Sequence, residues 1–101
     1  LYVFFTNRGD EPERIMLSTI SLKGDWSEWV ASEPIEVLRP EKDYEGATLP
    51  LKASRGGYID ERVHQLRDPA IYQEGDKTYL LYSVAGESGI AIAEIRFDEL
   101  N

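Results

Sequence analysis

Part of this chain occurs twice. Tyr2-Val3-Phe4-Phe5-Thr6 matches Tyr79-Leu80-Leu81-Tyr82-Ser83, and Ile15-Met16-Leu17-Ser18-Thr19-Ile20 matches Ile90-Ala91-Ile92-Ala93-Glu94-Ile95 at nearly the same offset. Two apolar runs repeated in order and spacing describe one supersecondary unit built twice, and such units bury their apolar faces on one another. The second copy is preceded by the stretch from Arg67 to Lys77, whereas the first begins at Leu1 with nothing before it and no initiator methionine. The expectation is a chain that starts inside a repeat unit, as a fragment or processed product of a longer polypeptide.

The repeated runs read as strands. From Thr78 to Val84, Tyr79, Leu81 and Ser83 alternate with Leu80, Tyr82 and Val84, so both faces are largely apolar and burial on two sides is expected. From Ile90 to Phe97, Ala91, Ala93, Ile95 and Phe97 form one side, while Ile90, Ile92, Glu94 and Arg96 form a side that turns polar, as in a strand leaving a core for solvent. Gly75-Asp76 suits a two-residue hairpin loop. Gly86-Glu87-Ser88-Gly89 links the next two strands, and its first-copy counterpart, Arg8 to Arg14, is slightly longer, as surface hairpins tolerate. Pro34 to Leu38 supplies a short outer strand. From Arg39 to Tyr58 the prolines and glycines at 40, 46, 50, 56 and 57 predict loop. No segment sustains a helical period.

Composition narrows the function classes. A formal net charge of −8 argues against nucleic acid as a partner, since phosphate binding relies on clustered Lys and Arg. The absence of cysteine excludes disulfides and thiolate metal sites and leaves the compartment open. No segment reads as a membrane span or a signal peptide, and localisation stays undetermined. Four antiparallel strands per unit, inner strands apolar on both faces and a long repeat fit the blades of a β-propeller. A sandwich produces the same alternation and is disfavoured only by the long repeat.

Leu66-Arg67-Asp68-Pro69-Ala70-Ile71, then Gly75 and Tyr79-Leu80-Leu81-Tyr82-Ser83, resemble the blade signature of five-bladed β-propeller glycoside hydrolases of the family 43 type. There, an Asp-Pro opens the inner strand of a blade and a tyrosine-rich hairpin follows. Asp25-Trp26 through Glu45-Gly46 also resembles an inter-blade connection of such proteins. The resemblance implies an all-β fold with antiparallel four-stranded blades of a five-bladed propeller, about two of them present. Residues 1–38 would be a partial blade (strands 2 to 4), 39–66 an inter-blade loop region, and 67–101 a partial final blade (strands 1 to 3).

The resemblance also points to site residues. Proline pushes the residue before it toward extended geometry and is tolerated at the start of a strand, which would hold Asp68 at a strand entrance near the ring axis. In the enzymes it resembles, a carboxylate so placed serves as general base, modulates the pKa of the acid or stabilises the transition state. The alternative is structural: an Arg67–Asp68 hydrogen-bonded pair that fixes the start of the blade. Hydrolysis needs two carboxyl groups across the scissile bond, roughly 6.5–9.5 Å apart for inversion, and Glu45 is the tempting second. It precedes Asp68, against the usual order in the related enzymes, and otherwise reads as a solvated loop carboxylate.

Arg67 and His64 are candidate substrate-binding residues. His64 reads as hydrogen-bonded near the pocket. A cation beside it lacks a second ligand in this chain, so neither a metal nor a cofactor is expected. Trp26 and Trp29 read as packing residues in preference to a sugar-stacking platform. Arg8-Gly9-Asp10 is taken as a hairpin tip, its integrin-ligand tripeptide as coincidence.

Two functions remain open. The chain is part of a glycoside hydrolase-like propeller acting on poly- or oligosaccharides, or of a non-catalytic propeller that binds carbohydrate or protein. In both, its exposed blade faces call for the remaining blades or for self-association.

Overall fold

The computed structural model describes residues 1–100. Six strands form: β1 (Tyr2–Phe5), β2 (Ile15–Thr19), β3 (Ile35–Leu38), β4 (Arg67–Glu74), β5 (Lys77–Val84) and β6 (Gly89–Ile95). They make two three-stranded antiparallel sheets, β1-β2-β3 and β4-β5-β6. The fold is all-β: single turns of 3-10 helix occur at Trp26–Glu28, Asp43–Glu45 and Phe97–Glu99, and no α-helix is present among the described residues. Each sheet has three strands.

The repeat is a repeat of register. Tyr2 lies opposite Thr19 and Phe4 opposite Leu17, while Tyr79 lies opposite Glu94 and Leu81 opposite Ile92, which are the corresponding positions of the second copy. Gly75-Asp76 closes the β4–β5 hairpin, with Glu74 opposite Lys77 and Gly75 at φ +61°. A left-handed backbone of that kind carries no steric cost at glycine.

The core lies between the sheets. Ile15, Leu66, Leu80, Tyr82, Val84 and Ile95 are buried together, and Phe4, Val37, Leu38, Ala91, Ala93, Phe97 and Leu100 pack around them. Repeat-equivalent residues nevertheless have opposite fates. Ile15 is fully buried, whereas its counterpart Ile90 is 77% exposed. Leu80 is buried, whereas its counterpart Val3 is exposed. One face of the first sheet therefore packs on the opposite face of the second.

This offset packing corrects the expectation for β5. Thr78, Leu80, Tyr82 and Val84 are buried, but Tyr79, Leu81 and Ser83 are half-buried, because no second layer of this chain lies over them. The far face of β6 is uncovered at its apolar positions as well, with Ile92 60% exposed. The sheet presents Tyr72, Tyr79, Leu81, Ile90 and Ile92 on that side. The Cα radius of gyration is 14.6 Å, above the ~13 Å of a compact domain of this length, and so fits two sheets side by side better than a closed globule.

Candidate functional site

The start of β4 departs from a regular strand. Arg67 lies opposite Ser83 and Ala70 opposite Leu81, so the strand bulges over Asp68 and Pro69. Asp68 takes φ +54°, not the extended geometry expected before proline. Positive φ at a residue other than glycine is uncommon, and Asp is among the residues that tolerate it because its short side chain bonds locally. Here the side-chain bond is cross-strand, not local: the Ser83 hydroxyl donates to Asp68 Oδ2 at 3.3 Å. Bulges re-aim side chains, and the Asp68 side chain is left exposed.

Arg67 points the other way, into the protein, and is 7% exposed. Its Nε donates to Gln65 Oε1 at 3.1 Å, and its two terminal nitrogens donate to the carbonyls of Gly57 and Arg55, each at 2.8 Å. Two carboxylates balance its charge, Glu13 at 3.5 Å and Glu87 at 3.7 Å. The planar, five-donor guanidinium meets all five groups at once, which the point charge of a lysine does not do. The Arg67–Asp68 pair expected from sequence does not form: each of the two residues bonds elsewhere.

A cleft of about 340 Å³ opens over these residues, lined by Thr6, Arg8, Glu13, Arg55, Gly56, Gly57, Arg67, Asp68 and Glu87. Its three carboxylates are not equivalent. Glu13 is buried and accepts from the Thr6 hydroxyl at 2.6 Å. Glu87 accepts from the Ile59 amide at 2.7 Å. Both also face Arg67. Asp68 alone has no cationic partner within 4 Å and keeps an oxygen directed at no described donor. Chemically the cleft offers one available carboxylate and a rim of arginine.

Glu45 and His64 stand outside this cleft. Glu45 is 2% exposed, which corrects its reading as a solvated loop residue. Its Oε1 accepts the amides of Glu41 and Lys42, and its Oε2 accepts the Tyr82 hydroxyl at 2.8 Å. Burial, and then this bond to a carboxylate, push the Tyr82 phenol well above its usual range. Through these bonds Glu45 locks the 41–46 turn to β5. His64 Nδ1 lies 3.1 Å from the Leu49 carbonyl, so that nitrogen carries the proton and the ring secures the loop.

Trp26 is 75% exposed, and Trp29 is exposed too, so neither indole is buried within this chain. Among the described residues no group of three or more His, Cys, Asp or Glu is placed to hold a metal ion. Glu13 is the cleft residue that the sequence reading missed. Its only signal is its place in the longer first-copy hairpin, near Thr6, which is the repeat counterpart of Ser83. Each of these hydroxyls bonds a carboxylate of the cleft.

The fold and the cleft together describe an all-β protein of two antiparallel sheets with an arginine-rimmed, carboxylate-bearing cleft. Over 96 residues the chain is 47% identical to an uncharacterized protein of Acanthamoeba polyphaga mimivirus. The match takes in 94% of this chain and 27% of that protein, so the chain spans about a quarter of the length of its relative. No family model matches the chain, and no solved structure does.

Proposed function

We propose that these two sheets are neighbouring, incomplete blades of a five-bladed β-propeller of the glycoside hydrolase type. In this reading Asp68 contributes a carboxylate to a saccharide-binding cleft. The offset packing supports the propeller. A face that packs on the opposite face of its own repeat makes a head-to-tail contact, which closes into a ring when the rotation permits. A sandwich whose two repeats are related by a two-fold axis instead joins like faces. The uncovered side at Ile90 and Ile92 corresponds to the side of the first sheet that is buried at Ile15 and Leu17. A further sheet over it completes the pattern.

The observation that carries the functional reading is the exposed Asp68 carboxylate, held at positive φ on a bulge and anchored by Ser83. Backbone strain at a cleft residue persists only when its surroundings enforce it, and it concentrates at functional sites. Glycoside hydrolysis requires two carboxyl groups. Glu13 and Glu87 are tied to Arg67, so the second comes from another blade. Asp68→Asn in the full-length polypeptide is expected to reduce oligosaccharide turnover at least about a hundredfold with an unchanged melting temperature. Asp68→Gly removes the carboxylate but adopts φ +54° freely, and it is expected to lose turnover equally. Wild-type turnover by the glycine variant would reduce Asp68 to a backbone device.

A second reading, a propeller that binds saccharide without cleaving it, is favoured by the single available carboxylate in this cleft. It is distinguished by saccharide binding that survives in the absence of any turnover.

A further inference from the structure

We infer that the saccharide bound in this cleft carries a negative charge, a carboxylate or a sulfate, and that Arg8 and Arg55 recognise it. The inference rests on the saccharide-binding reading above and adds the ligand's class. Arg8 and Arg55 lie far apart in sequence yet line the same cleft beside Asp68. Both are exposed, and neither has an ion-pair partner among the described residues. Arg67 is matched by two glutamates, whereas neither of these two cations is held by a carboxylate.

Their placement is built. Buried Ser54 accepts the amide of Gly9 through its hydroxyl at 3.0 Å and donates its own amide to the Asp10 carbonyl at 3.0 Å. The loop bearing Arg8 is thereby stapled to the loop bearing Arg55. Arg67 then grips the carbonyls of Arg55 and Gly57 from below. The Arg8 side chain lies across Gly56, where an added Cβ would come within 2.7 Å of its Cδ and Nη1. The fixed backbone confines the ordering cost of binding to the two arginine side chains, and their planar forks match carboxylate and sulfate oxygens. A chain of net charge −8 exerts no general attraction for anions, so selection falls to this pair.

The test is calorimetric titration of the full-length polypeptide with three probes: a uronic-acid oligosaccharide, its neutral methyl ester and a sulfated oligosaccharide. The expected result is binding of at least one charged probe about tenfold or more tighter than the neutral one, weakening with salt. Arg8→Ala with Arg55→Ala is expected to erase that preference while leaving neutral binding intact. Gly56→Ala, which displaces Arg8 without removing a charge, is expected to erase part of it. The uronate and sulfate arms identify which anion is read. Equal affinity for charged and neutral probes overturns the inference and leaves the saccharide reading standing; no binding of any probe overturns both.

Discussion

Arg67→Met is expected to lower the unfolding free energy by about 3–5 kcal/mol, the cost of leaving a buried charge without its partner. Glu13 is as buried as Arg67, and its remaining bond is to the neutral hydroxyl of Thr6. The carbonyls of Arg55 and Gly57 lose their donors in the same step. Arg67→Lys restores a charge without the fork and should recover only part of the loss. Arg67→Met combined with Glu13→Gln should lose less than Arg67→Met alone, because the orphaned charge is gone. Urea unfolding of the three variants gives these values. A loss below about 1 kcal/mol for Arg67→Met would mean that water already reaches Glu13 and that the cluster is a surface feature.

Gly46→Ala is expected to cost about 2–5 kcal/mol, from two separable sources. Gly46 sits at φ +93°, where an L-residue is disfavoured by ~1–2 kcal/mol. An added Cβ would fall on the Val63 carbonyl oxygen and within 3.2 Å of Ala85 Cα, and overpacking of this kind adds ~1–3 kcal/mol. Gly57 provides the control: it has φ +91° with nothing within 4 Å of an added Cβ. Gly57→Ala should carry the conformational cost alone. Equal losses at the two positions would show that the 41–46 turn moves away from Val63 at no cost, and that the lock through Glu45 and Tyr82 is weak.

The strands were legible because alternation is a local property. The repeat carried more than strand positions, since Phe4 lies opposite Leu17 and Leu81 opposite Ile92 although the first hairpin is longer by two residues. Which face each copy buries was not legible. Leu81 and Leu80 are equally apolar, and only the direction of the sheet-to-sheet contact separates them. Arg67-Asp68-Pro69 drew attention for a sound reason, yet the partners of Arg67 come from Glu13, Glu87 and the 55–57 loop. No spacing rule links these residues. Asp68 defied the rule for residues before proline because the bulge and the Ser83 bond outweigh a local preference. Glu45 looked solvated because its neighbours Asp43 and Tyr44 are polar and exposed, but its carboxylate turns inward to two amides and a phenol.

In a complete propeller β6 has a further strand beside it and a further sheet over its open face. Hydrogen exchange on the full-length polypeptide tests this directly at Gly89–Ile95. The amides of β6 that point toward β5 are bonded in any case, whereas those that point away exchange slowly only if another strand accepts them. The expected result is comparable protection for both sets. Rapid exchange confined to the outward set would leave β6 a true edge and contradict the propeller assignment.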